Sequence, residues 1–329
     1  MSNITIKDVA KEAGVSISTI SRYLANPGSI NQITAVAVSK AINKFNYIPN
    51  KYAQNLKRGN SNIIAVILPD ISNEFFSTAC KSMSLLFYRN NYLLMICNTD
   101  DDDQKERFYI EEMLKNRVSG MIIASSGKNT VYLENILSKN KNIMLFDRLE
   151  ADLEVDVVCE DNIKSGYDLA MHMIESGYNQ FSIIAGTDYS VNTQYRLSGI
   201  KKAFDEAHIS MNEKYLYKNI TTKESVMDSI HKIITDKAAP KCVIFCNPKL
   251  LQSAVFAINK FKLSVPDKIA LCGFCIDDPR YLFSFPVPAI VQNPQLIGLK
   301  SAEQMLKIIK NKNRKLTPKQ IFVPSALIY

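Results

Sequence analysis

No stretch of this 329-residue chain approaches the ~18 consecutive apolar residues that a membrane helix needs. The strongest apolar run, Ile63–Leu68, stops at Pro69 and reads as a buried strand. The opening residues, Met1 to Asp8, lack the apolar core of a secretory signal, so export is not expected. Histidine is scarce: His172, His208 and His231 stand apart, and none sits in a metal or triad motif. There is no Gly-x-Gly-x-x-Gly, no P-loop and no nucleophile–histidine pairing. These absences speak against an enzyme and against any bound cofactor or metal. The seven cysteines are odd in number and lie mostly in apolar, strand-like runs, which reads as reduced thiols in a cytoplasm. Cys272 and Cys275 have redox or zinc spacing but no second pair and no nearby histidine, so a structural role is the better reading.

The composition that is present, 47% hydrophobic and 22% charged, is that of a globular protein, and the length suggests two or three domains. The net charge of +8 is unevenly spread. Residues 1–60 hold eight basic and two acidic residues, for +6, whereas the other 269 carry 32 basic and 30 acidic residues, for +2. A compact basic head on a near-neutral body is the footprint of a polyanion-binding module, although a solvated surface would give the same count.

The head reads as short helices. Ile6, Val9, Ala10 and Ala13 fall at helical spacing, with Thr5 as N-cap, Asp8 three residues on and Gly14 as stop. Ser16 caps a second helix that turns Ile20 and Leu24 inward and ends at Asn26-Pro-Gly28. A third, from about Gln32 to Phe45, carries Val38, Ile42 and Phe45 on one stripe. This is a helix-turn-helix pattern with a bracing helix. Residues 48–61 form a polar connector with a helix-permissive core from Asn50 to Lys57. From Asn62 strands and helices alternate, and after Cys159 the alternation restarts. Two βαβ arrays in series imply two parallel sheets flanked by helices, facing each other across a cleft at the carboxyl ends of the strands. The expected class is therefore α/β with an N-terminal helical head.

Residues 4–59 resemble the head of the lac repressor family (LacI–GalR type) of bacterial transcription regulators. The resemblance rests on Ile6 to Ser16, Ser18 to Asn26, Phe45 to Asn50 and Ala53 to Lys57. It continues through Ile71 to Phe76, Cys97 to Asp100, Val118 to Ile123, Phe146 to Arg148, Asp161-Asn162, Gly186, Arg196 to Gly199, Gly273-Phe274 and Gly298. It implies a DNA-binding domain at 1–47, a hinge helix at 48–61 and an effector-binding and dimerisation domain at 62–329. Within the last, one lobe takes about 62–160 and 292–320, and the other about 161–291 and 321–329. The implied function is a repressor of carbohydrate-metabolism genes. It would act as a homodimer on a pseudo-palindromic double-stranded operator, under control of a small metabolite. The alternative is a cytoplasmic sugar-binding protein or a regulator that has lost its effector response. The chain stops at Ile328-Tyr329 without the tail that tetramerises some relatives, hence the expected dimer.

On the head, the second helix offers Ile17, Ser18 and Arg22 to base edges; arginine can bond guanine twice and isoleucine can meet a thymine methyl. Ser16, Thr19 and Ser21 suit phosphates, or merely cap and face water. The resemblance adds Thr5, Asn31, Thr34, Tyr47 and Asn50. It also implies that Ala53, Gln54, Leu56 and Lys57 form a hinge whose leucine wedges into the minor groove. The usual arginine after the threonine of the third helix is missing, since Thr34 is followed by Ala35, Val36 and Ala37. For the cleft, the resemblance implies Phe75, Phe76, Asp147, Arg148, Asn192, Arg196, Asn247, Cys275 and Gln292. Many relatives carry a carboxylate where Cys275 stands, while Arg148 and Arg196 remain. That suggests an anionic effector, a sugar acid or sugar phosphate. The motifs at Asp70, Cys97 and Phe146 look most like the ketodeoxygluconate-repressor branch. The run Asp100 to Asp103 is expected to cap the following helix rather than hold a cation.

Overall fold

The computed structural model describes residues 4–47, 61–150, 152–311 and 317–329. The chain divides into two compact units, the second starting at Asn62.

The first unit holds α1 (Ile6–Ala13), α2 (Ile17–Ala25) and α3 (Gln32–Phe45), with a single 3-10 turn at Pro27–Ser29 between the last two. Local chemistry sets each boundary. The Asp8 carboxylate accepts the Thr5 backbone N–H at 2.9 Å and its hydroxyl at 2.7 Å, which fixes the start of α1. Gly14 ends α1 with φ 65°, a conformation that costs glycine nothing. The Ser16 Oγ accepts the Thr19 N–H, and the Asn31 Oδ1 accepts the Thr34 N–H. Val9, Ala10, Ile20, Val38 and Ala41 are buried together, with Leu24, Ile42 and Phe45 packed around them. So small a core leaves little margin: truncating Ile20 would cost ~3 kcal/mol, a large share of such a unit's stability.

The second unit is two layered lobes. In the first, the chain runs β1 (Ile63–Leu68), α4 (Glu74–Arg89), β2 (Leu93–Asn98), α5 (Asp103–Lys115), β3 (Gly120–Ile123), α6 (Thr130–Lys139), β4 (Ile143–Phe146) and β5 (Val157–Glu160). It then crosses over. The second lobe begins with α7 (Asn162–Glu175), β6 (Phe181–Ile184), α8 (Val191–Glu206), β7 (Leu216–Tyr217) and α9 (Lys223–Thr235). It continues with β8 (Cys242–Phe245), α10 (Pro248–Phe261), β9 (Ala270–Cys275), α11 (Pro279–Leu282) and β10 (Ala289–Val291). The chain returns to the first lobe as α12 (Pro294–Lys310) and β11 (Gln320–Val323), then ends in the second as β12 (Ala326–Ile328).

The first sheet has the order β2-β1-β3-β4-β5-β11 and is wholly parallel. The second has the order β7-β6-β8-β9-β10-β12, parallel except for β12. Both faces of each sheet are covered, so the strands are apolar throughout rather than alternating. In β1, Ile64, Val66 and Leu68 face one buried cluster while Ala65 and Ile67 face another. In β8, Val243 and Phe245 do the same against Cys242 and Ile244.

Two points differ from the sequence expectation. The strands β7, β10 and β11 and the helices α11 and α12 were not foreseen. The last passage between lobes also falls at Pro324-Ser325, because Gln320–Val323 pairs with β5 in the first sheet; it is not at 321. The acidic run behaves as a cap. The Asp102 Oδ1 accepts the Gln104 and Lys105 N–H groups at 2.8 and 3.0 Å, and Asp100 pairs with Lys105.

Candidate functional site

Two sites can be built from these elements. On the head, α1 carries Asp8 in its first turn, but α2 and α3 carry no acid in theirs. The positive ends of α2 and α3 are thus capped by neutral side chains and left open to an anion. Ile17, Ser18 and Arg22 are exposed on α2, and no described carboxylate pairs with the Arg22 guanidinium. Ser16 is the cap of α2, with its Oγ 2.7 Å from Ser18 Oγ and 2.9 Å from Thr19 Oγ1. Thr19, Ser21 and Thr34 are half-buried, Thr5 is engaged by Asp8, and Asn31 caps α3. Tyr47 is half-buried against the head's apolar cluster, so only part of it is available to a partner. Asn50, Ala53, Gln54, Leu56 and Lys57 lie outside the described residues.

In the second unit, a cavity of about 320 Å³ opens between the carboxyl ends of the two sheets. That is the place where open parallel sheets receive ligands. Each wall is set by a strand end. After β1, Asp70 turns the chain by accepting the Ser72 N–H and hydroxyl, and Asn73 caps α4, which delivers Phe75 and Phe76. The two rings meet edge-on at 5.3 Å, and Phe76 meets Phe146 at 5.8 Å. They are core residues and cavity walls at once. After β4, Asp147 adopts φ 64° and turns its carboxyl into the cavity. The first turns of α8 supply Asn192 and Arg196, Asn247 caps α10 through the Lys249 N–H, and Gln292 follows β10.

The electrostatics are unusual. Asp147 is pushed up to about 6, chiefly by burial, with Arg148 and Arg196 pulling the other way. It accepts a hydrogen bond from the Asn192 Nδ2 at 3.2 Å, while the buried Asn192 Oδ1 has no donor among the described residues. Both arginines are already engaged. The Arg148 Nη1 donates to Asp101 Oδ1 at 2.6 Å and to the Ser125 carbonyl at 2.7 Å. The Arg196 Nε donates to Asn162 Oδ1 at 2.7 Å, its Nη1 donates to the Cys246 carbonyl at 2.8 Å, and Glu160 lies 3.6 Å from Nη2. Its guanidinium stacks 3.9 Å from the Phe274 ring centroid, and burial pulls its pKa down. Arg196 reaches this place because α7 and α8 approach closely. A Cβ on Gly199 would sit 2.0 Å from the Ile163 carbonyl oxygen.

Of the cleft residues expected from the sequence, the structure gathers Phe75, Phe76, Asp147, Arg148, Asn192, Arg196, Asn247 and Gln292 around the cavity. Cys275 is a correction. It is 1% exposed, and its side chain lies in the apolar cluster that packs α9 and α10 against the second sheet. There burial lifts its thiol to about 12. Strand parity decides this: Ile276, one residue on, lines the cavity instead. Sequence reasoning also missed Ser72, Asn73, Glu74, Ser190, Thr193, Pro248, Lys249 and Gln252. The available signal was the Asn and Ser caps of helices that begin at strand ends.

With this geometry in hand, comparison with known proteins is decisive. The model for bacterial regulatory proteins of the lacI family matches residues 5–50, and that for periplasmic binding proteins and the sugar binding domain of the LacI family matches 61–328. The chain belongs to the lacI family. Its LacI-family relatives include the HTH-type transcriptional regulator DegA of Bacillus subtilis, 30% identical across 98% of this chain and 96% of DegA. The HTH-type transcriptional repressor PurR of Histophilus somni is 27% identical across 94% of this chain and 93% of its own. A crystal structure of the lac repressor dimer bound to operator and the anti-inducer ONPF shares the fold. Its TM-score is 0.86 at 20% identity, covering 100% of this chain and 98% of that one. As a lacI-family member the protein is a DNA-binding transcriptional repressor, not an enzyme. No described helix is long and apolar enough to cross a membrane.

Proposed function

We propose that this repressor binds a pseudo-palindromic operator as a homodimer, in the cytoplasm where that DNA lies, under control of a small, polyhydroxylated, uncharged ligand. The single observation that carries the ligand class is the neutralisation of both cavity arginines by Asp101 and Glu160. The anionic effector expected from the sequence rests on Arg148 and Arg196 remaining where the carboxylate usual at position 275 is lost. With each held by its own carboxylate, and with Asp147 and Glu74 also at the wall, Lys249 is the one cation left for an anion among the described lining residues. What remains is two phenylalanine faces for an apolar ring face, and amides and a carboxyl for hydroxyl groups.

The head supports the DNA reading through the exposed Ile17, Ser18 and Arg22 and the open ends of α2 and α3. The dimer reading is supported by exposed apolar side chains near the open edge of the first sheet: Leu85 and Tyr88 on α4, and Leu93 and Ile96 on opposite faces of the edge strand β2. A two-fold pair of heads reads a two-fold DNA site.

The test is calorimetric titration of the full chain with neutral pentoses and hexoses against sugar acids and sugar phosphates. The expected result is binding of a neutral sugar in preference to its acid and phosphate. Tight binding confined to an anionic member would overturn the uncharged class. A mobility shift on palindromic DNA, with and without the bound sugar, tests the regulation itself.

A further inference from the structure

The chain passes between the lobes three times, at 161, at 292–293 and at 324–325. One buried carboxylate stands at the first passage, bonds the second and reaches the third through a serine hydroxyl. Glu160 is the last residue of β5, and its side chain is 3% exposed. Its Oε1 accepts the hydroxyl of Ser165, in the first turn of α7, at 2.5 Å. That hydroxyl lies 3.0 Å from the Ser325 Oγ in the third passage. The Glu160 Oε2 accepts the Nε2–H of Gln292, in the second passage, at 2.6 Å. The same oxygen lies 3.6 Å from the Arg196 Nη2. Gln292 and Arg196 both line the cavity.

We propose that Glu160 is a positioning residue that couples the cavity to the angle between the lobes. A desolvated carboxylate is tolerated only while its donors stay in place. Glu160 ends a strand of the first lobe, whereas Ser165 opens α7 and Gln292 follows β10 of the second, so rotation of one lobe on the other draws at least one donor away. The carboxylate is therefore satisfied at one lobe angle and poorly satisfied at others. That makes the joint a two-state element rather than a soft one. A molecule that bonds Arg196 and Gln292 fixes two of the carboxylate's partners, and so fixes the angle. The inference deepens the reading of the cavity as a ligand site and rests on it.

The experiment uses the full chain with nitroxide labels on cysteines introduced at Lys139 and Lys218, which are exposed residues of the two lobes. All seven native cysteines are buried, so labelling is confined to the introduced sites. Double electron–electron resonance then gives the lobe-to-lobe distance well below the melting temperature. The expected result is one narrow population in the parent and a second, displaced population in Glu160→Gln. Substitution by the amide keeps the size but turns a donor toward a donor. A unimodal, unshifted distribution in Glu160→Gln, even with a lowered melting temperature, overturns the proposal, because a merely structural role predicts that outcome. Should Glu160→Gln not fold, Ser165→Ala removes a single donor and is expected to broaden the distribution; no broadening there is likewise fatal. Calorimetry with D-glucose, D-galactose, D-ribose and D-gluconate adds a second arm. The compound that the parent binds best should bind Glu160→Gln about tenfold or more weakly, and equal affinity would refute the coupling. If the parent binds none of the four, the sugar reading of the cavity fails on its own, and the distance measurement still decides the role of Glu160.

Discussion

The Asn192 Nδ2 donates to the Asp147 Oδ1 at 3.2 Å, so the first turn of α8 in one lobe is tied to the loop after β4 in the other. Both residues line the cavity. A ligand therefore enters a space whose two sides are already in contact, and its own bonds must compete with that one or build on it.

The buried state of Asp147 sets a pH dependence with a definite sign. Its folded pKa is raised from 3.8 to about 6, so the folded state holds the proton more tightly than the unfolded chain does. Stability from this group is present below pH ~4 and is lost as pH rises through 6. The loss is of order 3 kcal/mol, from about two pKa units. Asp147→Asn, which keeps an acceptor for Asn192, should raise the melting temperature at pH 8 and leave it nearly unchanged at pH 4. Differential scanning calorimetry across that range checks it. An equal shift at both ends would show that desolvation is not the cause.

Arg22 should carry base discrimination without carrying stability. It is exposed on α2 and pairs with no described carboxylate. Arg22→Ala is expected to cost ~1–3 kcal/mol of specific operator binding, to flatten the preference over scrambled DNA, and to leave the melting curve in place. Fluorescence anisotropy on specific and scrambled duplexes reads both quantities.

How far the sequence reached depends on whether a feature is local. The three head helices could be read closely because Thr5, Ser16 and Asn31 are caps and Gly14 is a stop, all decided within four residues. The strands β7 and β10 span only two and three residues, too short to show a period. The helix α12, by contrast, carries a local start signal, Asn293 before Pro294. The site followed the same rule. Phe75, Asn192 and Gln292 could be placed from the family resemblance. The fate of the arginines could not, because Arg148 is claimed by Asp101, 47 positions away. Cys275 failed by a single step of strand parity, which a sequence match does not encode.

The exposed apolar side chains of α4 and β2 give a prediction about assembly. Tyr88 is 79% exposed and Leu93 58% exposed, at the open edge of the first sheet. A combined Tyr88→Glu and Leu93→Lys change should weaken self-association at least ~100-fold while leaving each monomer folded, since neither side chain supports the core. Sedimentation velocity over a dilution series measures it. A variant that remains dimeric at the parent's concentrations would move the interface elsewhere.

The missing arginine in α3 can be put back. Position 35 follows Thr34 in the first turn of a helix whose N-terminus carries no acid, so a cation placed there meets phosphate with little competition. Ala35→Arg adds one phosphate contact to each head. Each neutralised phosphate steepens the dependence of log affinity on log salt by ~0.9. A dimer carrying two such residues should thus gain a slope of ~1.8 and bind more tightly at low ionic strength, on specific and unrelated duplexes alike. Anisotropy titrations between low and moderate salt would show it. A gain on the specific duplex alone would mean that the new side chain reads bases, and that the first turn of α3 lies nearer the groove floor than the backbone.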